Sequence, residues 1–207
     1  MAQLGFYFDA AACNGCKVCL IACKDKNDNP VGVNYRRVLH YSGGTWQVHP
    51  SQADILVPRV FAYTVSVACN HCADPVCIEV CPSGAITKRA DNGLVIIDPD
   101  TCVGCRLCET CPYDAPQFNE EKGVMTMCDG CEDLLCHGES PSCVAACPQR
   151  ALQFGDVEEY REKYGKIDGI EPLPDPSLTQ PSLVVTPHRH SPLSGEGGGA
   201  MRSEPTA

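Results

Sequence analysis

The residues able to do chemistry here are cysteines, of which there are 17 in 207 residues. Sixteen fall into four tight groups. Group one is Cys13-x2-Cys16-x2-Cys19-x3-Cys23, and group two is Cys69-x2-Cys72-x4-Cys77-x3-Cys81-Pro82. Group three is Cys102-x2-Cys105-x2-Cys108-x2-Cys111-Pro112, and group four is Cys128-x2-Cys131-x11-Cys143-x3-Cys147-Pro148. Soft thiolates at such spacing bind zinc or iron-sulfur clusters. A zinc site typically takes its ligands as separated pairs. Three cysteines at C-x2-C-x2-C instead converge from one loop on three corners of a cubane and leave the fourth to another segment. The pattern points to one-electron chemistry on four [4Fe-4S] clusters, with a zinc-binding scaffold as the rival of another class. Disulfides are disfavoured because the cysteines cluster instead of spreading to close long loops. Their number is odd, and Met1 to Asp9 lacks the basic and apolar regions of a secretory leader.

The groups follow the C-x2-C-x2-C-x3-C-P run of bacterial ferredoxins, whose last cysteine ligates the other cluster of a pair. The proline fixes the turn that redirects this last ligand. Cross-ligation makes the groups act in pairs, either as neighbours or nested. Only the short link from Cys81 to Cys102 has the length of a compact two-cluster module, which favours nesting. The inner clusters then take Cys69, Cys72, Cys77 and Cys111, and Cys102, Cys105, Cys108 and Cys81. The outer clusters take Cys13, Cys16, Cys19 and Cys147, and Cys128, Cys131, Cys143 and Cys23. The expected fold class is α+β: two bacterial-ferredoxin-like 2x[4Fe-4S] modules, one inserted in the other, with an extended Pro-rich C-terminal tail. Residues 1–56 and 124–168 form the outer module, 57–123 the inserted one, and 169–207 the tail. Cys81-Pro82-Ser83-Gly84-Ala85-Ile86 and Cys147-Pro148-Gln149-Arg150-Ala151-Leu152 read as one duplicated block.

Strands must feed these loops. Gly5 to Asp9 and Val60 to Val67 read as strands entering groups one and two, and Gly93 to Asp98 as a hairpin strand after an Asp91-Asn92-Gly93 turn. Residues 156–165 read as a short helix, acidic early, basic late and closed by glycine, that acts as a peripheral cap. From Glu171 onward prolines recur without hydrophobic periodicity. Residues 171 to 187 are expected to lie as an arm along a partner, anchored by Leu183-Val184-Val185, with disorder beyond Ser191.

The net charge of -10 argues against nucleic acid. No apolar run reaches the ~20 residues of a membrane helix, so no direct membrane span is expected. No catalytic triad, phosphate-binding loop or flavin signature is present, and no active site is expected.

The sequence resembles the iron-sulfur, electron-transfer subunit of the anaerobic dimethyl sulfoxide reductase family of molybdopterin oxidoreductases. The likeness rests on Cys13-Asn14-Gly15-Cys16-Lys17, Cys69-Asn70-His71-Cys72, Cys81-Pro82-Ser83-Gly84-Ala85, Cys102-Val103-Gly104-Cys105-Arg106, Cys111-Pro112-Tyr113-Asp114-Ala115-Pro116-Gln117 and Cys128-Asp129-Gly130-Cys131. It extends to Arg36-Arg37, Tyr41-Ser42-Gly43-Gly44 with Trp46, and Pro172-Leu173-Pro174. The resemblance implies the nested ligation, and a place between a molybdopterin-containing catalytic subunit and an integral membrane anchor that handles quinol. It also implies a peripheral, membrane-associated complex, on the extracytoplasmic (periplasmic) face through a partner's twin-arginine signal rather than the cytoplasmic face. A relay serving a hydrogenase or formate dehydrogenase complex is the alternative, although formate dehydrogenase subunits often add a membrane helix that is missing here.

The sequence departs from the family at Cys108-Glu109-Thr110-Cys111, which has two intervening residues where the family has three. Within a helix such a loss rotates Cys111 by about 100° and shifts it by about 1.5 Å, so a tightened turn is expected. Position 105 is Cys where some nitrate reductase relatives carry Trp, so no three-iron cluster is expected there. Lys17 and Arg106 follow ligand cysteines and would raise cluster potentials, unless they are only solvated surface charges. His71 is either a donor to a cluster sulfur or a solvated loop histidine. Arg36 and Arg37 face either the interior or a partner. Asp9, Asp98 and Asp100 read as turn residues. Cys136 fits no group and reads as a small hydrophobe without a role.

Overall fold

The computed structural model describes residues 2–202. Strand β1 (Leu4–Asp9) lies between β8 (Leu152–Asp156), antiparallel to it, and β9 (Leu183–Thr186), parallel to it. A strand covered on both faces reads as a continuous apolar run, and Phe6, Tyr7 and Phe8 are all buried. Phe6 pairs with Phe154 at 4.7 Å between ring centroids. Helix α5 (Val157–Tyr164) caps this sheet. Asp156 Oδ1 accepts from the Glu158 N–H at 2.8 Å, Tyr164 stacks on Tyr7 at 3.8 Å, and Gly165 at φ 97° ends the helix.

A second sheet joins β2 (Arg37–His49) and β3 (Gln52–Val67) in a long antiparallel hairpin, with β10 (Ala200–Arg202) on its edge. Its base is core: Val38, Tyr41, Tyr63, Val65 and Val67 are buried, whereas Trp46, Val48, Ile55 and Leu56 near the tip are exposed. Two short hairpins follow groups two and three, β4 (Ile86–Lys88) with β5 (Val95–Ile97) and β6 (Gln117–Asn119) with β7 (Val124–Thr126). The cysteine loops open into brief helices: α1 (Val18–Lys26), α2 (Val76–Glu79), a 3₁₀ helix at Leu107–Thr110, α3 (Glu132–Cys136) and α4 (Ser142–Ala145). Helix α1 packs on α4, and α2 packs on the 3₁₀ helix.

The tail departs from expectation. Its apolar segment Leu183-Val184-Val185 is anchored in this protein's own core as β9, not on a partner. Gly5 makes that approach possible, since a Cβ there would strike the Ser182 carbonyl, which accepts from the Phe6 N–H at 3.0 Å. Disorder beyond Ser191 does not hold for residues 191–202, which include the Ile170–Leu193 bridge and β10; residues 203–207 lie outside the described ones. The expected boundaries after 56 and after 123 fall inside β3 and between the paired strands β6 and β7.

Candidate cluster-binding sites

Each cysteine loop carries a left-handed residue one place before its second cysteine. Gly15, Gly104 and Gly130 have φ of 71°, 68° and 74°, and His71 takes the same place at φ 44°. Glycine adopts this conformation without Cβ strain. The turn aims backbone N–H groups at the preceding sulfur: Gly130 donates to Cys128 Sγ at 3.4 Å, and the His71 N–H to Cys69 Sγ at 3.5 Å. The duplicated Cys-Pro block acts similarly at Cys81. Burial is the largest single influence and raises its thiol, but the N–H of Ile86, the Ser83 hydroxyl and the N–H groups of Ala85 and Ser83 together outweigh it and hold the thiol below the ordinary value.

The structure gathers the cysteines into four sets. Cys13, Cys16 and Cys19 line one cavity together with Cys147. Cys69, Cys72 and Cys77 line another together with Cys111. Cys23 has Cys143 and Cys131 as its electrostatic neighbours, and Cys128 has Cys23 and Cys143. Cys108 has Cys102, Cys105 and Cys81. Electrostatic neighbours also cross between sets: Cys108 with Cys77, Cys69 with Cys128, and Cys143 with Cys19.

This donor set fits iron-sulfur clusters. It is all sulfur, and in two of the four sets the cysteines line a common cavity. Burial pushes Cys23 and Cys77 up to about 12 and Cys108 up to about 11. Those thiols are protonated in the metal-free protein, and their ionisation is coupled to metal binding.

The short spacing before Cys111 is accommodated by the 3₁₀ helix, closed by the Cys111 N–H donating to the Cys108 carbonyl at 3.1 Å. Three 3₁₀ steps and four α steps both rise about 6 Å, and they turn through about 360° and 400°. Tighter winding thus replaces the missing residue, and Cys111 still reaches its cavity.

The remaining candidates resolve as follows. His71 is fully buried, not a solvated loop residue, and burial holds its pKa down at about 4. Its Nδ1 lies 3.9 Å from Cys69 Sγ but accepts from the Val95 N–H at 3.1 Å, so the donor to that sulfur is the His71 backbone rather than its ring. Arg106 pairs with Glu109 at 2.7 Å and stacks on Phe118. Lys17 lines the cavity of Cys13, Cys16 and Cys19. Arg37 pairs with Asp114 at 2.6 Å and donates to the Tyr113 carbonyl, whereas Arg36 is interior. Asp9 and Asp98 accept turn N–H groups. Cys136 is exposed at the end of α3, not packed as a small hydrophobe. Sequence reading missed Thr64 and Ser66, whose hydroxyls lie 3.3 Å from Cys13 Sγ and 3.4 Å from Cys19 Sγ. Their period-two spacing on one face of β3 was the available signal.

Loops, donors and cavities of this kind define a ferredoxin-like, α+β electron carrier with several [4Fe-4S] clusters. The family described as a 4Fe-4S dicluster domain matches residues 60–157. The sequence is 51% identical to the B subunit of the anaerobic dimethyl sulfoxide reductase of Haemophilus influenzae over 97% of both proteins. It is 48% identical to the corresponding subunit from Escherichia coli over 96% of both. Similarity extends to the thiosulfate reductase electron transfer subunit PhsB of Salmonella typhi, at 38% identity over 73% of this protein and 74% of that one. The protein belongs to the family of iron-sulfur, electron-transfer subunits of anaerobic dimethyl sulfoxide reductases. It is a non-catalytic subunit, and the zinc-scaffold rival falls with that membership.

Proposed function

We propose that the protein relays single electrons between a quinol-oxidising membrane anchor and a molybdopterin catalytic subunit that reduces dimethyl sulfoxide or a related oxide. Bound [4Fe-4S] clusters supply the one-electron chemistry. The ligands are Cys13, Cys16, Cys19 and Cys147 in a first set; Cys23, Cys128, Cys131 and Cys143 in a second; Cys69, Cys72, Cys77 and Cys111 in a third; and Cys81, Cys102, Cys105 and Cys108 in a fourth. The observation that carries this reading is the pair of cavities in which three cysteines of one group meet the last cysteine of another. The nested arrangement of modules has the same support, from β1 pairing with β8 and α1 packing on α4 around groups one and four.

No helix among the described residues is long and apolar enough to cross a membrane, so attachment falls to the anchor. The complex is assigned to the extracytoplasmic face, reached with a catalytic partner that carries a twin-arginine signal. Cross-ligation has a direct test in the intact complex, purified anaerobically. Cys147→Ser should alter the same EPR signal as Cys16→Ser and leave the signal altered by Cys131→Ser intact. If Cys147→Ser instead acts on the Cys131 signal, the groups do not share ligands as proposed.

A further inference from the structure

Arg36 is 2% exposed and has no carboxylate ion pair among the described residues. Its guanidinium lies 4.3 Å from the centroid of the Phe6 ring, and Nη1 donates to Ser66 Oγ at 3.1 Å. That same oxygen is 3.4 Å from Cys19 Sγ. Nε and Nη2 have no hydrogen-bond partner among the described residues. A buried cation left without a counter-charge is costly. The ligand sulfur this geometry reaches is Cys19 of the first set, one hydroxyl away through Ser66.

Resting on the ligand sets proposed above, we infer that Arg36 is the fixed counter-cation of the outer module, a positioning residue that raises the reduction potential of the first-set cluster. Reduction adds one electron, and so one negative charge, to a centre that is already anionic. A permanent positive charge beside its thiolates favours that state. Ser66 fixes the direction of the charge by holding Nη1 on the side of Cys19.

The test is an EPR-monitored redox titration of the intact complex carrying Arg36→Met, Arg36→Lys or Ser66→Ala, with iron counted in each. Arg36→Met should disfavour reduction of the first-set cluster at least tenfold, about 59 mV for one electron. The third and fourth clusters should hold their potentials, and Arg36→Lys should restore most of the loss. Ser66→Ala should move the first-set cluster in the same direction by less. If Arg36→Met loses iron, retention of iron and potentials by Arg36→Lys supports the inference. Unshifted or uniformly shifted potentials, or equal iron loss in both Arg36 variants, would overturn it. A wild-type iron count far from about sixteen per subunit would overturn the ligand sets beneath it instead.

Discussion

Hydrogen bonds to a ligand sulfur lower the cost of adding an electron to the cluster it holds, and Thr64 makes such a bond to Cys13 at 3.3 Å. Thr64→Val keeps the shape and removes the donor. The first-set cluster should fall in potential by about 20 to 60 mV, equivalent to about 0.5 to 1.5 kcal/mol, as read by EPR titration. Cys111 bears a second test. Inserting one alanine after Thr110 gives four α-helical steps in place of three 3₁₀ steps, so the iron content should stay at about sixteen per subunit. Cys111→Ser should lower the count and produce a three-iron EPR signal in the oxidised protein. At this scale the sequence is highly legible, because a ligand announces itself by type and spacing. Arg36 was not legible. Its partners Phe6 and Ser66 come from separate strands, and nothing beside it in sequence records them.

Strands and helices were legible where their signals are local. The turn at Asp91-Asn92-Gly93 gives β5, and the Asp156 cap with Gly165 gives α5. Two elements were not. The outer half of the β2–β3 hairpin carries Gln52, Pro58 and Arg59 among exposed apolar residues, so no buried face sets a clear alternation. Strand β9 pairs in parallel with β1 from the opposite end of the sequence, and no local pattern encodes such a partner. Yet β9 holds the sheet together. Val184 is fully buried between Tyr7 and Val157, below α5. Val184→Ala removes two methyl groups and leaves a cavity, at a cost of about 2 kcal/mol. In guanidinium, loss of the brown absorbance should come at lower denaturant than in the wild type. An unchanged midpoint would mean that the tail segment is dispensable to the fold.

Electrostatic neighbours link the four sets in order, fourth to third through Cys108 and Cys77, third to second through Cys69 and Cys128, second to first through Cys143 and Cys19. A relay in this order passes from either end through the second set. A single file and a branched network respond differently to an interruption. Cys131→Ser disables the second set while leaving the ligands of the other three in place. With electrons fed from the end nearest the fourth set, the third- and fourth-set clusters should reduce at wild-type rates. The first-set cluster should stay oxidised over the same interval. With electrons fed from the opposite end, the first-set cluster alone should reduce. Freeze-quenched EPR of the intact complex reads each case separately. Reduction of the first-set cluster from the far end at an undiminished rate would require a path around the second set and would overturn the single-file order.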